Sequence, residues 1–230
     1  TGLTSQFHGK LKTVNYNAKN TSEYKTDDSV SELSGVVGYL TKLGLYKNDF
    51  SKKNNHLLTP KLLLRYAPGH MRDLDKEKSF NYSNLFDINK MNEIDVIESG
   101  LSASLGFEYK KSDLKEDGTQ GNTKFSFAAG QVISEKENSD IPSSTSLDQR
   151  FSDVVGKSKL HIGNNTTFNY NFAIDQNYKD INFNEIDGNF VFGNSSFNIN
   201  YLEKKNHIGE EEHLRSDIDI AINESNKFSL

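Results

Sequence analysis

The chain has 230 residues, 34% of them hydrophobic, a formal net charge of −5 and no cysteine. That apolar content is thin for a two-layer core, which draws on nearly half apolar residues, and the missing cysteines exclude disulfides and thiolate metal sites. The mild acidity, without a basic stripe carrying interleaved aromatics, argues against a nucleic-acid partner. No run approaches the roughly 18 to 20 apolar residues of a membrane helix.

Nearly every regular segment alternates at period two. Leu3 to Tyr16 does so through Phe7, Gly9 and Leu11, and Leu33 to Leu45 through Val37, Tyr39, Thr41 and Leu43. His56 to Tyr66 sets Leu58, Pro60, Leu62, Leu64 and Tyr66 on one face. Pro60 lacks the N–H that a ladder needs, so this strand is expected to begin at Lys61 or to bulge there. Leu101 to Tyr109 and Lys124 to Val132 follow, then a weaker run from Phe151 to Ile162. The stretch "TTFNYNFAIDQNY", Thr166 to Tyr178, alternates most plainly. Phe168, Tyr170, Phe172 and Ile174 take one face, while Asn169, Asn171 and Asp175 take the other. Ile181 to Phe192, Ser196 to Leu202 and Ser216 to Asn223 (with Ile218, Ile220 and Ile222) complete the set.

Such alternation predicts strands with one apolar and one polar face. Most of the roughly ten strands approach the 9 to 11 residues that span a bilayer when tilted. A soluble sandwich accommodates this pattern, and so does a membrane barrel whose lumen is wet and needs no apolar filling. Connection lengths favour the barrel. Long ones at Pro68 to Ile97, Ser134 to Asp148 and Glu203 to Leu214 roughly alternate with short ones at "EDGTQGN", "GNNT" and "GNS". Outer-membrane barrels alternate long external loops with short periplasmic turns. "QNYKD", Gln176 to Asp180, breaks the alternation by being short where a long loop is due.

One segment sharpens the reading. "LLTPKLLLRYAPG", Leu57 to Gly69, sets a basic residue after Pro60, an aromatic-ended strand and then Pro68. It resembles a passage in the C-terminal barrel of the LptD family of lipopolysaccharide-assembly proteins (the organic solvent tolerance family). "NLFDINKMNEIDVIESGLSASLGFEY", "FSFAAGQVI" and "FSDVVG" resemble, in order, the family's Asp- and Asn-rich loop with its Gly-led strand, a strand ending in Gly-Gln, and a Ser-Asp strand. The resemblance spans Leu57 to about Asp175. The family's N-terminal periplasmic domain and its cysteines are not found in this sequence, and Lys90 stands where the family's loop usually has Arg. The resemblance implies a very large outer-membrane barrel that opens sideways between its first and last strands. It would be plugged by the lipoprotein LptE and fed with lipopolysaccharide through the periplasmic bridge protein LptA. No cofactor and no catalytic chemistry are implied.

The chain is therefore expected to be all-β, an antiparallel up-and-down segment of a transmembrane barrel in the Gram-negative outer membrane. Residues 1–230 would form one partial barrel domain cut from a longer protein. Phe168, Tyr170, Phe172 and Ile174 are expected to face outer-membrane lipid, and Asn169, Asn171 and Asp175 the lumen. The rivals are a porin-like channel and a soluble all-β binding module.

Two His and three Glu in "HIGEEEH", His207 to His213, raise a metal site. The spacing is not the one-turn pair of a zinc helix, so a solvated loop is expected. The mixed-charge runs "RDLDKEK" and "SEKENSD" read the same way. His8, His56, His70 and His161 are scattered, and no nucleophile elbow appears.

Overall fold

The computed structural model describes residues 2–17, 29–69, 71, 73–74, 78–93, 95–221 and 227–229. They form one antiparallel sheet with almost no helix. In chain order its strands are β1 (Leu3–Asn17), β2 (Ser29–Leu43), β3 (Leu45–Asp49), β4 (Asn54–Ala67), β5 (Gly100–Leu114) and β6 (Gln120–Ser134). Then come β7 (Val154–Ile162), β8 (Thr166–Ile174), β9 (Ile181–Phe192), β10 (Ser195–Lys204), β11 (Glu211–Ala221) and β12 (Lys227–Ser229). Each pairs with its sequence neighbour, except that β4 pairs with both β2 and β3 along one edge. Among the described residues the sheet does not close on itself. This is the up-and-down all-β architecture expected, with the short β3 and β12 added to the ten anticipated strands.

Cross-strand pairs hold the register. Phe7 lies opposite Tyr39 with ring centroids 5.6 Å apart. At the short-turn end, glycine supplies the left-handed backbone that tight hairpins require: φ is 78° at Gly118, 61° at Gly163 and 59° at Gly193. Asp117 steadies the first of these turns by accepting from the Thr119 amide at 2.9 Å. The connections 68–99, 135–153, 175–180 and 205–210 all leave from the opposite end. The β1–β2 connection lies outside the described residues, as do His70, Arg72 and Ile222.

Pro60 departs from expectation. It lies inside β4, opposite Phe107, with no shift in that register. On its other side the ladder is interrupted between the pairs Lys61–Lys42 and Leu58–Leu45, where Gly44 separates β2 from β3. The Gly44 amide turns away to the Gly2 carbonyl at 2.9 Å. Proline's missing donor thus falls where the neighbouring ladder is already broken.

The two faces of the sheet differ sharply. One carries exposed apolar side chains, including Phe7 at 79% exposure, Leu11, Tyr39, Leu64, Leu105 and Ile186. The other is covered in part by residues 78–93 and 95–99, which fold back over β1, β4 and β6 to β8. Met71, Phe80, Tyr82, Leu85, Met91 and Val96 cluster there against Ala128, Val132, Val155 and Ala173. The core therefore lies between a connection and a sheet, not between two sheets.

Glycines open the sheet to this cover. A Cβ on Gly130 would lie 2.5 Å from Leu85 Cδ2, and one on Gly38 would lie 2.5 Å from Ile88 Cγ2. Gly130→Val is expected to expel Leu85, which is 0% exposed, at a cost of about 1–3 kcal/mol for overpacking. Faster hydrogen exchange is the expected reading across 80–91 and also at the Gly106–Gly130 pairing of β5 with β6, because the same Cβ would lie 2.5 Å from the Leu105 carbonyl oxygen.

Candidate functional site

The β7–β8 register carries Leu160–Phe168, Ser158–Tyr170, Gly156–Phe172 and Val154–Ile174 pairs. Phe168, Tyr170, Phe172 and Ile174 thus share one face, the uncovered one. They form a continuous aromatic surface. Phe172 stacks on Tyr170 at 5.5 Å and on Phe127 at 6.1 Å, and Phe168 meets Phe190 edge-on at 5.4 Å. The ring of Phe172 lies over Gly156. That seat, with its stacked neighbours, leaves Phe172 only 8% exposed.

Asn169 and Asn171 share the opposite face with Lys159 and Lys157, on a part of it that the folded-back segment leaves open. They belong to a polar wall continuing across β9 and β10. Asn171 Nδ2 donates to Glu185 Oε2 at 2.8 Å, and Asn200 Nδ2 donates to Asp187 Oδ1 at 2.5 Å. Asn189 donates to Asn198, and Thr167 Oγ1 lies 3.1 Å from His161 Nδ1. Amides bonded to carboxylates, with Lys157 and Lys159 beside them, keep this wall polar.

Asp175 does not join the wall. β8 ends at Ile174, and Asp175 closes the turn beyond it. Its amide donates to the Asp180 carbonyl at 2.9 Å, and its Oδ2 accepts from the Asn177 amide at 2.9 Å. The period-two pattern ran one residue past the strand because a turn-forming Asp also fits a polar position.

The strongest interactions of the covered face escaped the sequence reading. Arg65, on β4, is buried against segment 78–99. Its Nη2 donates to Glu98 Oε2 at 2.9 Å and its Nε to the Ile88 carbonyl at 2.7 Å. Glu98 Oε1 also accepts from the Met91 amide. Further along, Lys12 Nζ on β1 donates to the Glu93 carbonyl and, at 2.6 Å, to the Val96 carbonyl. Lys61 pairs with Glu108 beneath Tyr82 and Phe86. Burial, reinforced by Glu108, raises the Tyr82 hydroxyl above its ordinary range. A lone Arg65 in the apolar run "LLLRYA" was the one available signal.

Lys90 lies in the same buried cluster. Burial, helped by the Arg65 charge, pushes its ammonium down to about 7, against about 10.4 in an unfolded chain. Between those values the undocked segment binds more protons than the docked one, so docking strengthens as pH rises from about 7 to about 10. Below about 7 both states hold the proton and the full burial penalty remains. Hydrogen exchange of amides 85–93 is expected to slow with pH, after correction for intrinsic rates, with a slope approaching tenfold per unit. Lys90→Met is expected to flatten that slope.

The His207–His213 segment is not the single solvated loop expected. His207 lies in a short 3-10 turn, Asn206–Ile208, with Nε2 3.1 Å from Asp153 Oδ2. Glu211 and His213 already belong to β11. Asp153 also accepts from Asn182 Nδ2 at 2.9 Å, tying the turn to the bulge in β9. Of the mixed-charge runs, Glu135, Lys136 and Glu137 are exposed, while much of "RDLDKEK" lies outside the described residues. His56 Nδ1 lies 2.7 Å from the Tyr109 hydroxyl on the uncovered face. Among the described residues no group of three or more His, Asp or Glu side chains could hold a metal ion.

The family profile described as "LptD: LPS transport system D" matches residues 5–224. No curated protein matches the chain.

Proposed function

The chain belongs to the LptD family, LPS transport system D, and from that premise we propose that its strands form part of an outer-membrane barrel that passes lipopolysaccharide into the outer leaflet. The family's role is lipopolysaccharide transport to the outer membrane, a transport and assembly role. The observation that carries the proposal is the two-faced sheet. One face presents large apolar side chains without cover, and the other is a polar wall. Uncovered apolar surface on this scale is a liability in water and ordinary against lipid.

On this reading Phe168, Tyr170, Phe172 and Ile174 face lipid, while Asn169 and Asn171 face the hydrated interior. Asp175 sits at the external rim, beside the long connections. The short turns at Gly118, Gly163 and Gly193 face the periplasm. LptE would occupy the lumen side and LptA would deliver substrate from below, both by family relation.

Photo-crosslinking in cells tests this. A photoreactive residue at Asn169 or Asn171 is expected to trap lipopolysaccharide, and one at Phe168 to trap bulk lipid. Absence of any lipopolysaccharide adduct from the polar wall in actively growing cells would overturn the transport assignment of that wall.

A further inference from the structure

The buried charges beneath segment 78–99 do not balance. Glu98 has both oxygens engaged, one by Arg65 and one by the Met91 amide. Lys90 is 4% exposed, as buried as Arg65. Among the described residues its Nζ donates only to the Asp87 carbonyl, at 3.2 Å. An ammonium has three donors, and a buried charge without a counter-charge is strongly unfavourable. Among the described residues these two buried cations thus share one buried carboxylate, Glu98; the Asp87 carboxylate, which also attracts Lys90, is exposed to solvent.

Those three side chains line a cavity of about 400 Å³ between segment 78–99 and the 135–153 connection. That volume is in the range of small-ligand sites. Ser99, Ser134 and Asn138 add polar groups to its walls. The carboxylates at its mouth, Glu135 and Glu137, are exposed and flank Lys136. Water and salt screen them, whereas the floor is desolvated and its field correspondingly stronger.

We propose that this cavity binds a small oxyanion of the phosphate class, with Lys90 and Arg65 as its counter-charges. The anion supplies the missing negative charge and the acceptors that Lys90 lacks. It also bridges two connections at the external end of the strands, because the cavity is walled by both. Lipid headgroups and free phosphate share this chemistry.

The test is thermal unfolding of the intact protein in detergent, with inorganic phosphate against chloride at matched ionic strength. Phosphate is expected to raise the midpoint of the wild type and of Lys90→Arg, and to leave Lys90→Met unmoved. An equal shift in all three, or none in the wild type, overturns the proposal. Should Lys90→Met fail to assemble, hydrogen exchange of the wild type decides. Phosphate must slow exchange of amides 87–91 and 135–138, on both walls of the cavity, and unchanged exchange sinks the site. Short-chain phosphatidate, below its micelle concentration, identifies the source. Saturation at about tenfold lower concentration, a gain of about 1.4 kcal/mol, marks a lipid headgroup, and equal potency marks free phosphate. Failure here leaves the transport reading intact, since that reading uses the polar wall and not this cavity.

Discussion

Phe172→Asp is expected to abolish most assembly of the barrel, whereas Asn171→Asp, one residue away, is expected to assemble nearly normally. The two side chains project from opposite faces of β8. Phe172 is the most enclosed of the four aromatic and aliphatic residues on its face, stacked on two rings and lying over Gly156. Truncating such a ring costs about 3–5 kcal/mol. A carboxylate placed toward hydrocarbon adds a further penalty, somewhat below the about 2–4 kcal/mol measured for basic residues at the midplane. Asn171→Asp sets a second carboxylate beside Glu185, but Lys157 is directly opposite on β7. The net cost should stay within about 1 kcal/mol. Folded barrel in the outer membrane, measured by heat-modifiable gel mobility, separates the two. Equal tolerance of both changes would defeat the assignment of faces.

Arg65→Met should undock segment 78–99 while leaving the strands paired. Removing one member of a buried ion pair strands the other, at about 3–5 kcal/mol. Here it also withdraws the donor that holds the Ile88 carbonyl. Glu98→Met should do comparable damage, because it frees Arg65 and leaves the Met91 amide unpartnered. The Arg65→Met/Glu98→Met double variant should recover part of the loss, since an equal and opposite pair is removed and the one buried amine left there, Lys90, can shed its proton near pH 7. Hydrogen exchange over 78–99, compared with β5 and β6, is the measurement. Unchanged protection in the single variants would show that apolar packing alone holds the segment.

The strands were legible because each faces two different environments, and that imposes period two. Leu101 to Tyr109 and Ile181 to Phe192 illustrate this, the second to the residue. The family was legible from Leu57 onward because several short motifs kept their order. What escaped depended on partners distant in sequence. Arg65 and Glu98 are separated by 33 residues, and nothing local to either announces the pairing. Pro60 looked disruptive because a proline's effect depends on what it faces, and Gly44 lies on a strand edge invisible from Pro60's own neighbourhood. Asp175 was misplaced for the converse reason: alternation does not distinguish the last polar residue of a strand from the first of a turn. Lys90 stood out only as a departure from a family pattern, and its burial comes from the folded-back segment.

The covering segment also separates two stages in how this wall can be built. Most strand pairs are joined by short connections between neighbours in sequence, which are cheap to close. Segment 78–99 must instead find β1, where Lys12 reaches Val96 across 84 residues, and also β4 and β6. Its docking surface does not exist until those strands lie side by side. Construction therefore proceeds outward from local pairs, and the segment settles last as its own cooperative unit. An assembling barrel passes through a stage in which its interior is open and Leu85 is wet. A chaperone that shields apolar loops would find its substrate at that stage, rather than in the finished wall.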